Sequence, residues 1–416
     1  MSPGDWRKAP QMSEGRTSEF GAERLIYLAR ALRDFGDGFA VLLVPFYLAA
    51  RGLGAFEIGL VATLGLLGSA LTTLAMGMIG YRFGERALLI AASVLMAATG
   101  LAFALSEVTA VFFLIAFIGT INPSSGSVSI FVPLEHALIA GSVSDRKRTG
   151  AFAFYGLVGA LAASLGSLAA ASPAWLQHEG ISELAAFRLM FVFYAALGLA
   201  GAAVYARIPS RGVILTKTSA APLTRSRARV LRLAALFSVD AFAGGFVVPA
   251  LMALWLLQRF GLSLAGTSAF FMAAGLLSAL SQPAAAWLGA RIGLVNTMVW
   301  THIPASMALI AAAFSPSSEL ALGLLLARAL LSQMDVPARS SYVMAVVAPE
   351  ERAAAASLTS VPRSLAAALS PALAGALFAA GHSALPFIIC GVLKIAYDLT
   401  LLVLFGNVRA PEELAS

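Results

Sequence analysis

The chain of 416 residues has one cysteine, Cys390, so it closes no internal disulfide and offers no cysteine-rich metal site. Its four histidines, His136, His178, His302 and His382, match no zinc spacing. It has no glycine-rich phosphate loop and no nucleophile elbow. The sequence therefore does not read as an enzyme, and it calls for no cofactor and no metal. Charge is scarce as well. Only 12% of residues are charged against 59% hydrophobic, and the mean hydropathy is +0.86. A soluble domain carries about 25% charge, so this is an integral membrane protein. Lysine is nearly missing, with 4 against 24 arginines. With abundant alanine, that bias points to a GC-rich bacterial genome and a bacterial plasma (inner) membrane.

A membrane helix needs about 20 apolar residues, and twelve such stretches occur: 25–50, 56–79, 88–106, 109–141, 150–172, 187–207, 231–258, 265–289, 295–314, 319–347, 353–380 and 385–406. Residues 1–24 are polar and hold no apolar core of signal-peptide type. Basic residues favour one face: Arg7, Lys8, Arg16, Arg24, Arg82, Arg86, Arg146, Lys147, Arg148, the run Arg207 to Arg232, Arg291, Arg352 and Arg409. The other face has little beyond Arg51 and Arg259. The positive-inside rule then puts both termini in the cytoplasm. The net charge of +7 and pI of 9.8 report this topology and contact with anionic lipid headgroups, not nucleic-acid binding. The expected organisation is a tail (1–24), a six-helix half (25–207), a cytoplasmic linker (208–230), a second six-helix half (231–406) and a tail (407–416).

The halves repeat. At one constant offset Val132 pairs with Val336, Pro133 with Pro337, Val143 with Val347 and Arg148 with Arg352. A nearby offset pairs Gly80, Arg82 and Gly84 with Gly289, Arg291 and Gly293. Two like-oriented six-span repeats build a rocking transporter with its site between them.

The segment "VPFYLAARGLGAFEIGLVATLGLLGSALTTLAMGMIGYRFGERALLI" (44–90) resembles spans one to three of the major facilitator superfamily. Gly77, Arg82, Gly84 and Arg86 fit the family's signature loop, with Tyr81 where its Asp belongs and Glu85 where a basic residue is common. The early spans resemble the drug–proton antiporter branch. "GLVGALAASLG" (156–166) has that branch's span-five glycines without its Gly-Pro step. The resemblance implies an all-α membrane fold of twelve helices in two pseudo-symmetric halves, with spans one, four, seven and ten around a central cavity.

Charges inside these spans mark the candidate site, since each costs roughly 2.5–3.5 kcal/mol at a membrane helix centre. At 100° per residue Arg30, Arg33, Asp34 and Asp37 form one stripe on span one. Arg328, Ser332, Asp335 and Arg339 form another on span ten, and Ser124, Phe131 and Glu135 share a face of span four. Asp34, Glu135, Asp240 and Arg339 fall at one depth, roughly 13 Å from the cytoplasmic boundary, and Arg363 lies slightly deeper. The candidate residues for substrate contact or gating are Arg33, Asp37, Glu135, Asp240, Asp335, Arg339 and Arg363, with Asp34 and Glu135 as proton-coupling groups. Blander readings stay open. Arg30 and Arg33 could snorkel and pair with Asp34 and Asp37. Lys394 and Asp398, four apart on a span peripheral in the family, read as a structural pair, and His136 as a satisfied buried histidine. The prolines at 45, 133, 249, 337 and 362 read as kinks. Glu135 and Arg339, equivalent in the repeat and opposite in charge, are expected to bridge the halves when the cytoplasmic side shuts.

The leading functional expectation is a monomeric secondary transporter of a small organic solute. It would work by alternating access, be coupled to protons, and favour export. One alternative is a carrier or exchanger of an organic anion, a carboxylate or phosphate ester, gripped by Arg339 and Arg363. An aromatic-poor, arginine-lined cavity would favour that alternative; an apolar cavity with one acid would favour the lead. A non-transporting receptor or scaffold is the alternative of another class.

Overall fold

The computed structural model describes residues 13–79, 82–121, 129–143, 145–208, 226–347 and 351–406. Tyr81, Pro123, Ser124 and most of the 208–230 linker lie outside the described residues, as do both chain ends. So do the side chains of Gly77, Arg146, Lys147, Arg148 and Arg352.

Each of the twelve expected spans contains at least one helix. The first half holds α1 (Ser13–Ala50), α2 (Ala55–Ile79), α3 (Glu85–Leu105), α4 (Thr109–Ile118), α5 (Phe131–Ser142), α6 (Asp145–Ala169), α7 (Ser172–His178) and α8 (Glu183–Tyr205). The second holds α9 (Arg227–Gly245), α10 (Pro249–Phe260), α11 (Leu264–Ile292), α12 (Leu294–Ala313), α13 (Ser318–Ser332), α14 (Asp335–Ala345), α15 (Arg352–Ala379) and α16 (Leu385–Phe405). No strand occurs among the described residues, and nine helical stretches are long and apolar enough to cross a membrane. Without water to satisfy stray backbone groups, helices are what a bilayer permits such a chain to form.

Three expected spans are broken. Span four divides into α4 and α5, span ten into α13 and α14, and span seven between α9 and α10. Pro249 opens α10 at its first turn, where a missing N–H costs nothing. Pro133 and Pro337 sit within three residues of the starts of α5 and α14, which begin at equivalent places in the repeat. These prolines therefore start helices, whereas Pro45, Pro283, Pro304, Pro362 and Pro371 lie inside them. The first span is longer than expected: polar residues from Ser13 onward already belong to α1.

We call the side where α8 ends and α9 begins the linker face. The halves meet towards the opposite face. A Cβ on Gly59 would lie 2.5 Å from the Pro371 carbonyl oxygen, and one on Gly375 2.5 Å from that of Ala55. Only glycine lets α2 and α15 come this close, the small-residue packing usual where no hydrophobic force drives helices together. Beside this seam the Ala372 N–H donates to Thr63 Oγ1 at 2.9 Å. Between the halves lies a cavity, lined by α6 on one side and by second-half helices on the other.

Candidate functional site

Each half holds its own buried charge cluster. In the first, the α1 stripe turns inward as its spacing requires. Arg30 Nε lies 2.7 Å from Asp34 Oδ2, and Arg33 Nε 3.3 Å from Asp34 Oδ1. Arg33 does not snorkel. Its Nη1 donates across to Glu135 Oε2 of α5 at 2.8 Å, and its guanidinium stacks 4.5 Å from the Phe131 ring centre. Glu135 is fully buried and accepts two more hydrogen bonds, from Tyr155 Oη and Tyr205 Oη, both at 2.6 Å. Asp37 has no ion pair among the described residues; it accepts from Tyr194 Oη at 2.9 Å. A charge buried this deeply persists only when its lone pairs are filled, and Glu135 meets that condition.

The second cluster centres on Asp240 of α9. Its Oδ2 accepts from Arg339 Nη1 at 3.0 Å, and Asp335 Oδ2 lies 3.2 Å from the same nitrogen. Its Oδ1 accepts from Lys394 Nζ of α16 at 2.5 Å. Lys394 Nζ is also 3.2 Å from His302 Nε2, and His302 Nδ1 is 3.0 Å from Asp398 Oδ1. This corrects the expected Lys394–Asp398 pair: the helical spacing holds, but each side chain turns to a different partner on a neighbouring helix.

Between the halves lies a cavity of about 620 Å³. The first half contributes Leu66 and the Ser164–Ser167 face of α6; most of the wall is second-half. Its charged lining is Arg328, Arg339, Arg363 and Lys394 against Asp240 and Asp335. Arg339 and Lys394 are engaged with those two acids. Arg328 and Arg363 have no ion pair or hydrogen bond among the described residues, and Arg363 Nε is buried without a partner. Among the described residues the aromatic lining is Phe270, Phe271 and the His302 ring.

The expected residues therefore separate. Asp240, Asp335, Arg339 and Arg363 line the cavity. Arg33, Asp34, Asp37 and Glu135 form the first-half cluster and do not line it. What depth alone suggested as one ring is two clusters, because each group finds partners within its own half. Glu135 and Arg339 each bond inside their own cluster in this state. Of the signature loop, Gly84 caps α3 in extended conformation, Arg82 is exposed, and Arg86 Nη2 donates to the Ala206 carbonyl. Arg188 is a third arginine towards the far face, paired with Glu107 at 3.0 Å. His136 is half-buried, packed edge-on against Phe152 and Tyr155.

Sequence reasoning missed Tyr155, Tyr194, Tyr205 and His302. The signal was available, since a buried tyrosine hydroxyl seeks a polar partner.

A sequence model of the Major Facilitator Superfamily matches residues 26–332 and 233–416. A bacterial homologue of the human lysosomal transporter Spinster, in inward-facing and unoccupied conformation, superposes with a TM-score of 0.74 at 16% identity, covering 95% of this chain and 99% of that one. The nucleoside transporter NupG gives 0.70 at 13% identity, covering 93% and 99%. The uncharacterized membrane protein YJR124C of Saccharomyces cerevisiae is 22% identical over 93% of this chain and 94% of its own length. With a family match running through the whole chain, and a helical fold that superposes on transporters of that family, the chain belongs to the Major Facilitator Superfamily and is a membrane transporter rather than an enzyme.

Proposed function

We propose that this transporter carries a small organic anion, a carboxylate or phosphate ester, by alternating access, and that the linker face is cytoplasmic. The observation that carries the proposal is the pair of cavity arginines, Arg328 and Arg363, that have no carboxylate partner among the described residues. Guanidinium matches carboxylate and phosphate in bidentate fashion and holds its charge when buried. Two guanidinium groups that face a cavity without a carboxylate beside them are neutralised best by an anion bound there. The drug-exporter reading needs an apolar cavity with one acid, so the charged, aromatic-poor lining favours the anion reading over it. The bias of basic residues and the arginine-rich composition support an orientation with both termini cytoplasmic, in a bacterial inner membrane.

The test is a thermal-shift panel on the purified chain, because a ligand selective for the folded state raises stability by mass action. Dicarboxylates and phosphate esters should stabilise the parent, and Arg363→Gln should weaken that response about 10- to 100-fold, as expected for a lost charge-assisted hydrogen bond. Stabilisation by lipophilic cations alone, unaltered in Arg363→Gln, would overturn the proposal.

A further inference from the structure

The second-half cluster has a feature that anion binding alone does not use. Asp398, His302, Lys394 and Asp240 form an unbroken chain from the outer helices α12 and α16 to the cavity wall. Its hydrogens can be assigned. The Lys394 ammonium donates to Asp240 and to His302 Nε2, so Nε2 accepts, and Nδ1 carries the ring proton and donates to Asp398. His302 Nε2 is also 3.9 Å from Asp240 Oδ1, the oxygen that Lys394 holds. Ring and ammonium thus compete for one acceptor.

We propose that His302 is the proton-binding group of this carrier, and that its protonation transfers Lys394 from Asp240 to an anion in the cavity. This rests on the anion reading. A proton on Nε2 turns that atom into a donor facing an ammonium at 3.2 Å, which repels Lys394. The ring then takes over Asp240 Oδ1, while Asp398 behind it stabilises the imidazolium. Lys394, which already lines the cavity, joins Arg328 and Arg363 around the anion. The proton taken up by the ring offsets one negative charge of the bound anion.

The groups facing His302 agree with this. From α16 come Lys394, Asp398 and the edge of the Tyr397 ring at 6.2 Å. From α9 comes Asp240, and through it Asp335 and Arg339 of α14. Arg328 of α13 faces the same cavity. Arg291, the sole charge on α11, stacks on Trp287 at the linker end. The ring thus sits between carboxylates that can accept from its nitrogens and a cation that donates to one of them.

The experiment measures binding of 1,2-ethanedisulfonate, an organic dianion whose charge is constant across the range used, by thermal shift at about pH 5.5 and about pH 8. In the parent, binding should be about tenfold tighter at the lower pH. His302→Gln and Lys394→Gln should bind with no pH dependence, and Asp398→Asn should move the transition to lower pH. Apo stability at the higher pH verifies that each variant folds. Asp398→Asn supplies the outcome if the buried histidine proves indispensable for folding. Tight binding without pH dependence in the parent, or pH dependence retained in His302→Gln, would overturn the proposal and leave the anion reading standing. Absence of disulfonate binding at both pH values in the parent would overturn the proposal, and the anion reading falls with it if dicarboxylates and phosphate esters also fail to stabilise the parent.

Discussion

Replacing Glu135 by alanine should remove the keystone of the first-half cluster. The substitution strips three hydrogen bonds at 2.6, 2.6 and 2.8 Å from a fully buried site. It leaves Arg33, 4% exposed, with the 3.3 Å contact to Asp34 as its one ion pair among the described residues, and removes the acceptor of two tyrosine hydroxyls. Breaking a buried pair from one side costs about 3–5 kcal/mol. A stranded hydroxyl adds about 1 kcal/mol or more, so a loss of about 4–6 kcal/mol is expected, a large share of a typical fold's stability. Removing both partners should cost far less, because apolar residues of similar volume often replace a buried ion pair without loss. Arg33→Met with Glu135→Met should thus recover most of what either single change loses. The assay is reversible denaturation in detergent on Glu135→Ala and on Arg33→Met, Glu135→Met and their double, the last three read as a double-mutant cycle. The account expects a coupling of about 3 kcal/mol and anion binding retained in the double variant, since neither residue lines the cavity. If Glu135→Ala unfolds with the parent, or the singles and double simply add, the cluster is not the first half's internal brace. The coupling role that sequence position suggests for Glu135 would then regain ground.

Three further outcomes follow. Gly59→Val should wedge α2 from α15, because its first side-chain atom would meet the Pro371 carbonyl at 2.5 Å. Spin labels at Val108 and His382 should report a longer separation than in the parent, and an unchanged distance would show that the seam yields elsewhere. Arg188→Ala should alter stability by less than about 1 kcal/mol, since its partner Glu107 is 75% exposed and water screens the pair; a larger loss in the same denaturation assay would contradict this. With Cys390→Ser as background, Arg82→Cys should react with a membrane-impermeant thiol reagent only after cells are opened, and labelling in intact cells would reverse the orientation.

Much of the fold was legible because a bilayer leaves few choices. Runs of apolar residues must be helical, so each of the twelve stretches contains helix, although α1 starts earlier and α7 runs past the end of span five. The breaks were harder to read. Pro133, Pro249 and Pro337 look like interior kinks in an apolar run, yet each sits in the first turn of a new helix. Among site residues, the periodicity that aligned Arg30, Arg33, Asp34 and Asp37 was a reliable guide to an inward face. It carries no information about partners on other helices. Arg33 therefore found Glu135, and Lys394 found Asp240 rather than Asp398, through packing that spacing cannot encode. His302 was overlooked for a related reason. It stands alone on span nine, and only the fold brings Asp240, Lys394 and Asp398 around it.

The central claim is that the cavity between the halves carries an anion held by its unpartnered arginines. Counterflow in liposomes tests it most directly: vesicles holding the purified chain are preloaded with an unlabelled dicarboxylate or phosphate ester, and uptake of the labelled compound is followed. The account predicts uptake well above protein-free vesicles, reduced about 10- to 100-fold by Arg328→Gln or Arg363→Gln and retained in Arg188→Ala. Uptake indifferent to both cavity arginines, or confined to neutral and cationic solutes, would contradict it.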